Sequence, residues 1–461
     1  PDFSYIQKIL LPLFYTIQMS VTGTVLGIFF ALVLSPFGAA NLGFPAVIRR
    51  ILRIVIQILR SFPALILALT ATFLFGLGTF AGTFAITLYT FAIMTKLTYE
   101  DASAADVKAY QALRAMGVSK YVAYIHGILP EIIPGFLTNA LYLLETNVRH
   151  SSILGYVGAG GIGLLLNEKI SWLEYDKVGT ILLMLFLTVC VIEYFSRYLA
   201  ALIRKERTIK KEQARLLLLF LAALFLICTF TLSLPDFSRT SPQTLRNMFA
   251  GFLQPDWSFF FSAEKDGLGY LLLETVCIAF IGTVIGAIVS APLAFLNTKR
   301  FVPAPVSFLF NLVIMVIRSV PFLVYGLIFI RVSGPGAFTG VLTLAVCSIG
   351  LLTKRFTEAL DALDPRPYHA LLAMGVRPLP AICHSVLPQL KPVFTSIILY
   401  RFDVNIREAS VLGLVGAGGI GAPLIFSMNQ YAWEKAGAIM LGLILLVWFI
   451  DMVSEKIGAG N

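Results

Sequence analysis

Charge is what this chain most conspicuously lacks. Of its 461 residues, 13% are Asp, Glu, Lys or Arg and 58% are hydrophobic, with a mean hydropathy of +0.86. Soluble domains carry roughly 25% charged residues and about half apolar ones, so water is excluded as the solvent for most of this surface. Metal and redox chemistry also find little to work with. The five cysteines (Cys190, Cys228, Cys277, Cys347 and Cys383) are scattered through apolar runs without ligand spacing, which indicates neither a disulfide framework nor a zinc site. The histidines, His126, His150, His369 and His384, form no HExxH-type pair. No lysine is followed by Ser or Thr, so the GxxxxGK[ST] phosphate loop is excluded, and with it ATP hydrolysis by that route. The chain opens on Pro1 without a Met, as a sequence lacking part of its natural N-terminus would, so it does not bear on a signal peptide.

Long apolar runs take the place of charge. A bilayer crossing takes about 20 apolar residues, and the runs here define an all-α polytopic membrane protein. Spans are expected at Leu13–Ser35, Ile48–Phe75, Phe80–Leu97, Ile132–Val148 and Val178–Leu202, then at Leu216–Leu234, Leu271–Leu296, Val306–Arg331, Phe338–Thr353, Val393–Ile406 and Ala436–Val453. These make about 11 transmembrane helices. The net charge of +10 does not point to nucleic acid, because much of it sits in short loops: Arg49, Arg50 and Arg53; Arg204, Lys205, Arg207, Lys210 and Lys211; Lys299 and Arg300. Positive-inside topology places such loops in the cytoplasm.

The chain repeats itself in one register. Gly163 recurs at Gly421, 258 positions on. The same shift carries Arg60-Ser61-Phe62-Pro63 onto Arg318-Ser319-Val320-Pro321, Lys96 onto Lys354, and Ala115-Met116-Gly117-Val118 onto Ala373-Met374-Gly375-Val376. One segment slips by a residue, Gly23-Thr24-Val25-Leu26-Gly27 against Gly282-Thr283-Val284-Ile285-Gly286. Two parallel halves related by a pseudo-two-fold follow: residues 1–203, a basic cytoplasmic linker at 204–215, and residues 216–461 with an external segment at 235–270. Leu216–Leu234 has no counterpart in the first half, so either another helix precedes Pro1 or that half does without it. In the external segment, Trp257 and Phe259–Phe261 suit an interfacial helix.

Residues 106–130 and 364–388 are hydrophilic insertions that still read as helical. Asp106 and Asp364 are placed to cap, and Pro365 and Pro367 fit a helix start. Tyr110, Leu113 and Met116 share one face by three-residue steps, as do Tyr368, Leu371 and Met374. Two such stripes facing the cytoplasm ask for a twofold partner groove; the bland alternative folds them back onto the membrane domain.

Here the pattern resembles a known family. An alanine, a glycine a few residues on, and Ile/Val-Leu-Pro after a further helix (Ala112, Gly117, Ile128, Leu129, Pro130; Ala370, Gly375, Val386, Leu387, Pro388) look like the EAA loop of permease subunits of ABC importers. The leading Glu of that loop is Gln111 in one half and His369 in the other. Asn405-Ile406-Arg407-Glu408-Ala409-Ser410 leading into a GAGGIG run is similar to the phosphonate-type permeases, whereas the first half has His150 and Ser151 at the matching positions. The resemblance implies two fused copies of a MetI-like type I importer bundle. It also implies coupling to two copies of an ABC ATPase through Ala112, Met116, Gly117, Ala370, Met374 and Gly375. A binding protein outside the membrane would deliver substrate, and the chain itself would hold no cofactor, ATP and Mg being bound by the ATPase subunits. The implied location is the inner or plasma membrane of a prokaryote.

Arg60, Ser61, Arg318 and Ser319 lie within apolar spans, and so do Asn147 and Arg149 with their twins Asn405 and Arg407. Charges at that depth are costly and face a bundle interior or water. One reading makes these residues an electropositive path for phosphonate, phosphite or phosphate, since Arg suits bidentate oxyanion contact. The other makes Arg149–Glu145 and Arg407–Asp403 structural ion pairs and has Arg60 and Arg318 hold helix packing. The glycine runs, with Gly158, Gly160 and Gly161 and then Gly416, Gly418 and Gly419, are expected to be re-entrant turns packed near an outer gate close to the pseudo-two-fold axis. Rival readings are a methionine permease, which shares parts of the pattern, and a proton-coupled secondary transporter using Glu145, Asp403 and Glu408. A membrane enzyme lacks a recognisable catalytic constellation.

Overall fold

In lipid every backbone N–H and C=O must be satisfied within the protein, which favours helices. The computed structural model is helical, with no strand among the described residues: 2–203, 211–233, 235, 242–262, 264 and 267–459. Most of the basic linker and part of the external segment lie outside them. The chain divides into two units, Pro1–Leu245 and Arg246–Asn461.

The first unit runs α1 (Ile6–Gly38), α2 (Ala46–Ser61), α3 (Ala64–Phe75), α4 (Thr79–Ala104), α5 (Lys108–Ala115), α6 (Lys120–Gly127), α7 (Leu129–Leu154), α8 (Ile162–Ser171), α9 (Tyr175–Ile203) and α10 (Lys211–Phe230). Next come α11 (Pro242–Leu253) and α12 (Trp257–Phe260), then α13 (Leu268–Asn297), α14 (Ala304–Ser319), α15 (Phe322–Ser333), α16 (Ala337–Ala362) and α17 (Arg366–Ala373). The second unit closes with α18 (Pro378–Ala381), α19 (Leu387–Leu412), α20 (Gly421–Asn429) and α21 (Trp433–Ala459).

Seven helices among the described residues are long and apolar enough to cross a membrane, and up to ten spans result if each of three bent pairs counts as one. These ten match the sequence-read spans. The eleventh, Leu216–Leu234, is present as a shorter apolar helix, Leu219–Phe230. This helix, α10, packs on α1 of the first unit. There the Gln18 amide donates to the Cys228 carbonyl at 3.1 Å and to Thr231 Oγ1 at 2.9 Å.

Two spans read as continuous are broken. Ile48–Phe75 becomes α2 and α3, bent by 95°, and Val306–Arg331 becomes α14 and α15, bent by 86°. The cause is local: Phe62 and Val320, each followed by proline, are extended, and proline disfavours the α conformation of the residue before it.

Each unit is built on one close helix crossing, α1 on α4 and α13 on α16. Gly23 and Gly27 form a GxxxG seam on α1, and a Cβ on them would stand 2.7 Å from Ile86 Cγ2 and 2.7 Å from Thr90 Cβ. On α13, a Cβ on Gly286 would meet Ser348 Cβ at 2.4 Å. Small residues of this kind let membrane helices approach by backbone.

At one end of the first unit the Ala39–Pro45 turn gathers the loop elements. Tyr110 Oη donates to the Leu42 carbonyl at 2.6 Å, Arg53 donates twice to the Gly38 carbonyl at 3.0 and 2.9 Å, and Asn41 donates to the Ala102 carbonyl at 2.9 Å. Arg49–Arg53 and the 106–130 insertion therefore share an end, as the charge pattern required.

Leu173 and Tyr431, at matched positions after α8 and α20, hold positive φ of +60° and +58°. Left-handed backbone costs a residue with a branched or bulky side chain roughly 1 kcal/mol, and Asn tolerates it better. Leu173→Asn should raise stability by about 1 kcal/mol, read as an upward shift of the melting temperature in detergent; a lower value would mean that the Leu173 side chain matters more than its backbone.

Candidate functional site

The two insertions form matching tips. Asp106 Oδ1 accepts from the Lys108 N–H, and Asp364 Oδ1 from the Arg366 N–H, both at 3.0 Å. That backbone bond leads the causes holding the Asp106 carboxyl below the usual carboxylate range. Gly117 and Gly375 turn the chain at φ of +86° and +83°, with open space where a Cβ would be. The apolar stripe divides. Tyr110 is buried, Leu113 packs against the same cluster, and Tyr368 lies edge-on to Phe301 at 5.5 Å. Only Met116 and Met374 remain outside, 75% and 77% exposed. Ala112 and Ala115, like Ala370 and Ala373, are exposed beside them. So the stripe folds back over most of its length, and what is left to a partner is one methionine on a bed of small residues.

Asn147 and Asn405, read as path residues, are fully buried. Asn147 donates to Thr24 and Thr90 Oγ1, both at 2.7 Å, tying α7 to α1 and α4. Asn405 donates to Thr283 Oγ1 at 2.6 Å and Ser348 Oγ at 2.9 Å, tying α19 to α13 and α16. These amides clamp three helices in each half. Arg149 pairs with Glu145, and Arg407 with Asp403, one turn apart and mostly buried. Arg60 and Arg318 occupy the last turns of α2 and α14, where a cation meets the negative end of the helix dipole. Ser61 and Ser319 are buried and bond back to the Gln57 and Val316 carbonyls at 2.9 and 2.7 Å. Arg318 lies against α16, its Cγ 3.0 Å from where a Cβ on Gly350 would stand.

The glycine runs are turns held within their own units. Gly158, Gly160 and Gly161 take φ of +84°, +78° and +74°, and Gly416, Gly418 and Gly419 take +90°, +80° and +76°. The Gly78 N–H donates to the Gly158 carbonyl, and Gly336 to Gly416, both at 3.0 Å. Thr16 Oγ1 accepts from the Ile162 N–H at 2.9 Å, and Thr275 Oγ1 from Ile420 at 3.0 Å. In the second unit a carboxylate joins the turn: Glu274 Oε2 accepts from the Gly419 N–H at 3.2 Å.

Sequence reasoning missed Arg401. It is 3% exposed on α19, and it pairs with Glu408 (Nη2–Oε2 2.8 Å, Nη1–Oε1 3.5 Å) while its Nε donates to Ser348 Oγ at 3.1 Å. The register puts Leu143 and His150 at these positions in the first half, with the His150 ring edge-on to Tyr89 at 5.1 Å. Both ends of the pair change together between the halves, and that joint departure was the available signal. Among the described residues, no group of three or more His, Cys, Asp or Glu could hold a metal ion.

A family model described as binding-protein-dependent transport system inner membrane component matches residues 7–208 and, a second time, 282–457. The chain belongs to this family. This permease thus carries the family domain twice, as its two units do in space. It is 28% identical over 447 residues to the phosphate-import permease PhnE of Mycolicibacterium smegmatis, covering 95% of this chain and 83% of that one. It is 36% identical over 184 residues to the phosphite transport system permease PtxC of Stutzerimonas stutzeri, 40% of this chain and 67% of that one. A probable D-methionine transport system permease of Vibrio cholerae is 27% identical over 209 residues, 43% of this chain and 93% of that one.

Proposed function

We propose that this permease is the translocation subunit of an ATP-driven importer for phosphonate or a related small phosphorus oxyanion, phosphite or phosphate. The observation that carries the reading is likeness over 95% of the chain to a phosphate-import permease; the embedded arginines are chemically suited to such cargo. A binding protein outside the membrane hands over the anion. Two ATPase subunits, which hold the ATP and Mg, dock one on each methionine tip, and the permease halves, 1–203 and 216–461, carry one tip each. Arg60 and Arg318 give the path its positive potential, while the acid-paired Arg149 and Arg407 hold the helices beside it. Alternating access is a two-state rearrangement biased by ATP and by the loaded binding protein. The glycine turns pack near the outer gate, in the plasma membrane of a prokaryote.

The test is uptake into proteoliposomes holding the permease with its ATPase and binding protein. ATP-dependent accumulation of phosphate, phosphite or methylphosphonate is expected. Accumulation of methionine in their place would overturn the substrate. Uptake that persists without ATP and collapses with the proton gradient would overturn the mechanism.

A further inference from the structure

We propose that Arg401 is a latent tetrahedral-oxyanion site kept closed by Glu408, which serves as its resident counter-anion. The guanidinium is a planar fork of donors, and here its two Nη atoms face the two oxygens of one carboxylate at 2.8 and 3.5 Å. The same fork fits two oxygens of a phosphate or phosphonate. The pair is not symmetric toward its surroundings: the Arg401 side chain is 4% exposed and that of Glu408 is 18%. The carboxylate is therefore the member on the open side, standing where an arriving anion would stand.

The fold does not need this pair. Leu143 and His150 occupy the same places in the first half, where the matching three-helix clamp closes without charge. The mostly buried pair that recurs in both halves, Arg149–Glu145 in one and Arg407–Asp403 in the other, is the fold's own. Arg401–Glu408 is additional, and its base is built: Ser348 Oγ accepts both from Arg401 Nε at 3.1 Å and from the Asn405 amide at 2.9 Å. With Glu408 withdrawn, the guanidinium stays anchored at its Nε and presents an uncompensated fork to the open side. A permease has reason to keep such a fork filled, because a path conducts only if its sites release what they bind. Glu408 thus sets how weakly the second half holds an anion.

The inference rests on the oxyanion reading for the nature of the cargo, and the experiment separates the two. The full chain in nanodiscs is titrated with radiolabelled inorganic phosphate and, separately, with sulfate. Glu408→Gln keeps the shape and removes the charge; it should bind anion about tenfold or more tighter than the parent. Glu408→Asp keeps the charge but draws the carboxylate back by one methylene. It should show a smaller gain, and it carries the test if the Gln variant does not fold. The double variant Arg401→Leu/Glu408→His, the first half's own solution, should lose the gain. Unchanged binding by Glu408→Gln, or by Glu408→Asp where the Gln variant fails, would overturn the proposal. So would a double variant binding as tightly as Glu408→Gln. Sulfate retained without phosphate would uphold the latent site and overturn the phosphorus-oxyanion reading.

Discussion

Replacing Met116 and Met374 together by Glu should cut ATP-driven uptake by about 100-fold while the chain still assembles in the membrane. Met116 and Met374 are 75% and 77% exposed and are the part of each apolar stripe that its own unit leaves uncovered. The change therefore removes no internal packing. At a docked partner, each substitution replaces a thioether seated in a cleft by a charge that must be desolvated. Central apolar anchors of interfaces cost about 2 kcal/mol or more on truncation, and each 1.4 kcal/mol is about a tenfold change in affinity. Two sites acting together give the expected loss. It is read as uptake and as ATPase retained on the immobilised permease; wild-type uptake by the double variant would remove the methionines from the coupling contact.

Adding one methyl group at Gly421 should prevent the second unit from forming. A Cβ there would stand 2.3 Å from the Ser410 carbonyl oxygen, and at the twin Gly163 it would stand 2.4 Å from the Ser152 carbonyl oxygen. Those carbonyls belong to the last turns of α19 and α7, so the obstacle is backbone, which cannot swing aside as a side chain would. Overpacking a rigid site costs about 3 kcal/mol, and more where nothing yields. Gly160→Ala is the comparison. It bears the cost of a positive φ of +78°, but its new methyl would meet nothing nearer than Thr79 Cγ2 at 3.4 Å, so about 1 kcal/mol is expected. Yield and melting temperature of the purified chains rank the variants; Gly421→Ala behaving like Gly160→Ala would show that the turn opens to make room.

The apolar runs and the repeat were legible because each is written along one helix or one register. The bends were not. Prolines also sit inside continuous helices here, at Pro12, Pro134, Pro292 and Pro392, so the proline of Ser61-Phe62-Pro63 alone did not announce a 95° turn. Hydropathy could identify Leu219–Phe230 as apolar but not the unit it would join, which depends on the Gln18 amide reaching across to it. Asn147 was visible as a polar group in a span; its role needs two hydroxyls from two other helices, a convergence that no single-helix pattern carries. Arg401 went unread for a related reason. Its meaning lies in Glu408, two turns along, and in Leu143 and His150, which the first half keeps instead.

The tips have a mechanical consequence. One unbranched thioether on a floor of alanines is closer to a ball in a socket than to a key in a lock. Methionine adapts its three torsions to an irregular cavity, so in the proposed coupling the joint would swivel as the socket turns without letting go. It also carries no formal charge. Dissolved ions screen charged contacts and leave apolar ones largely alone, so coupling through such a proposed contact would change little when the salt content of the cell swings.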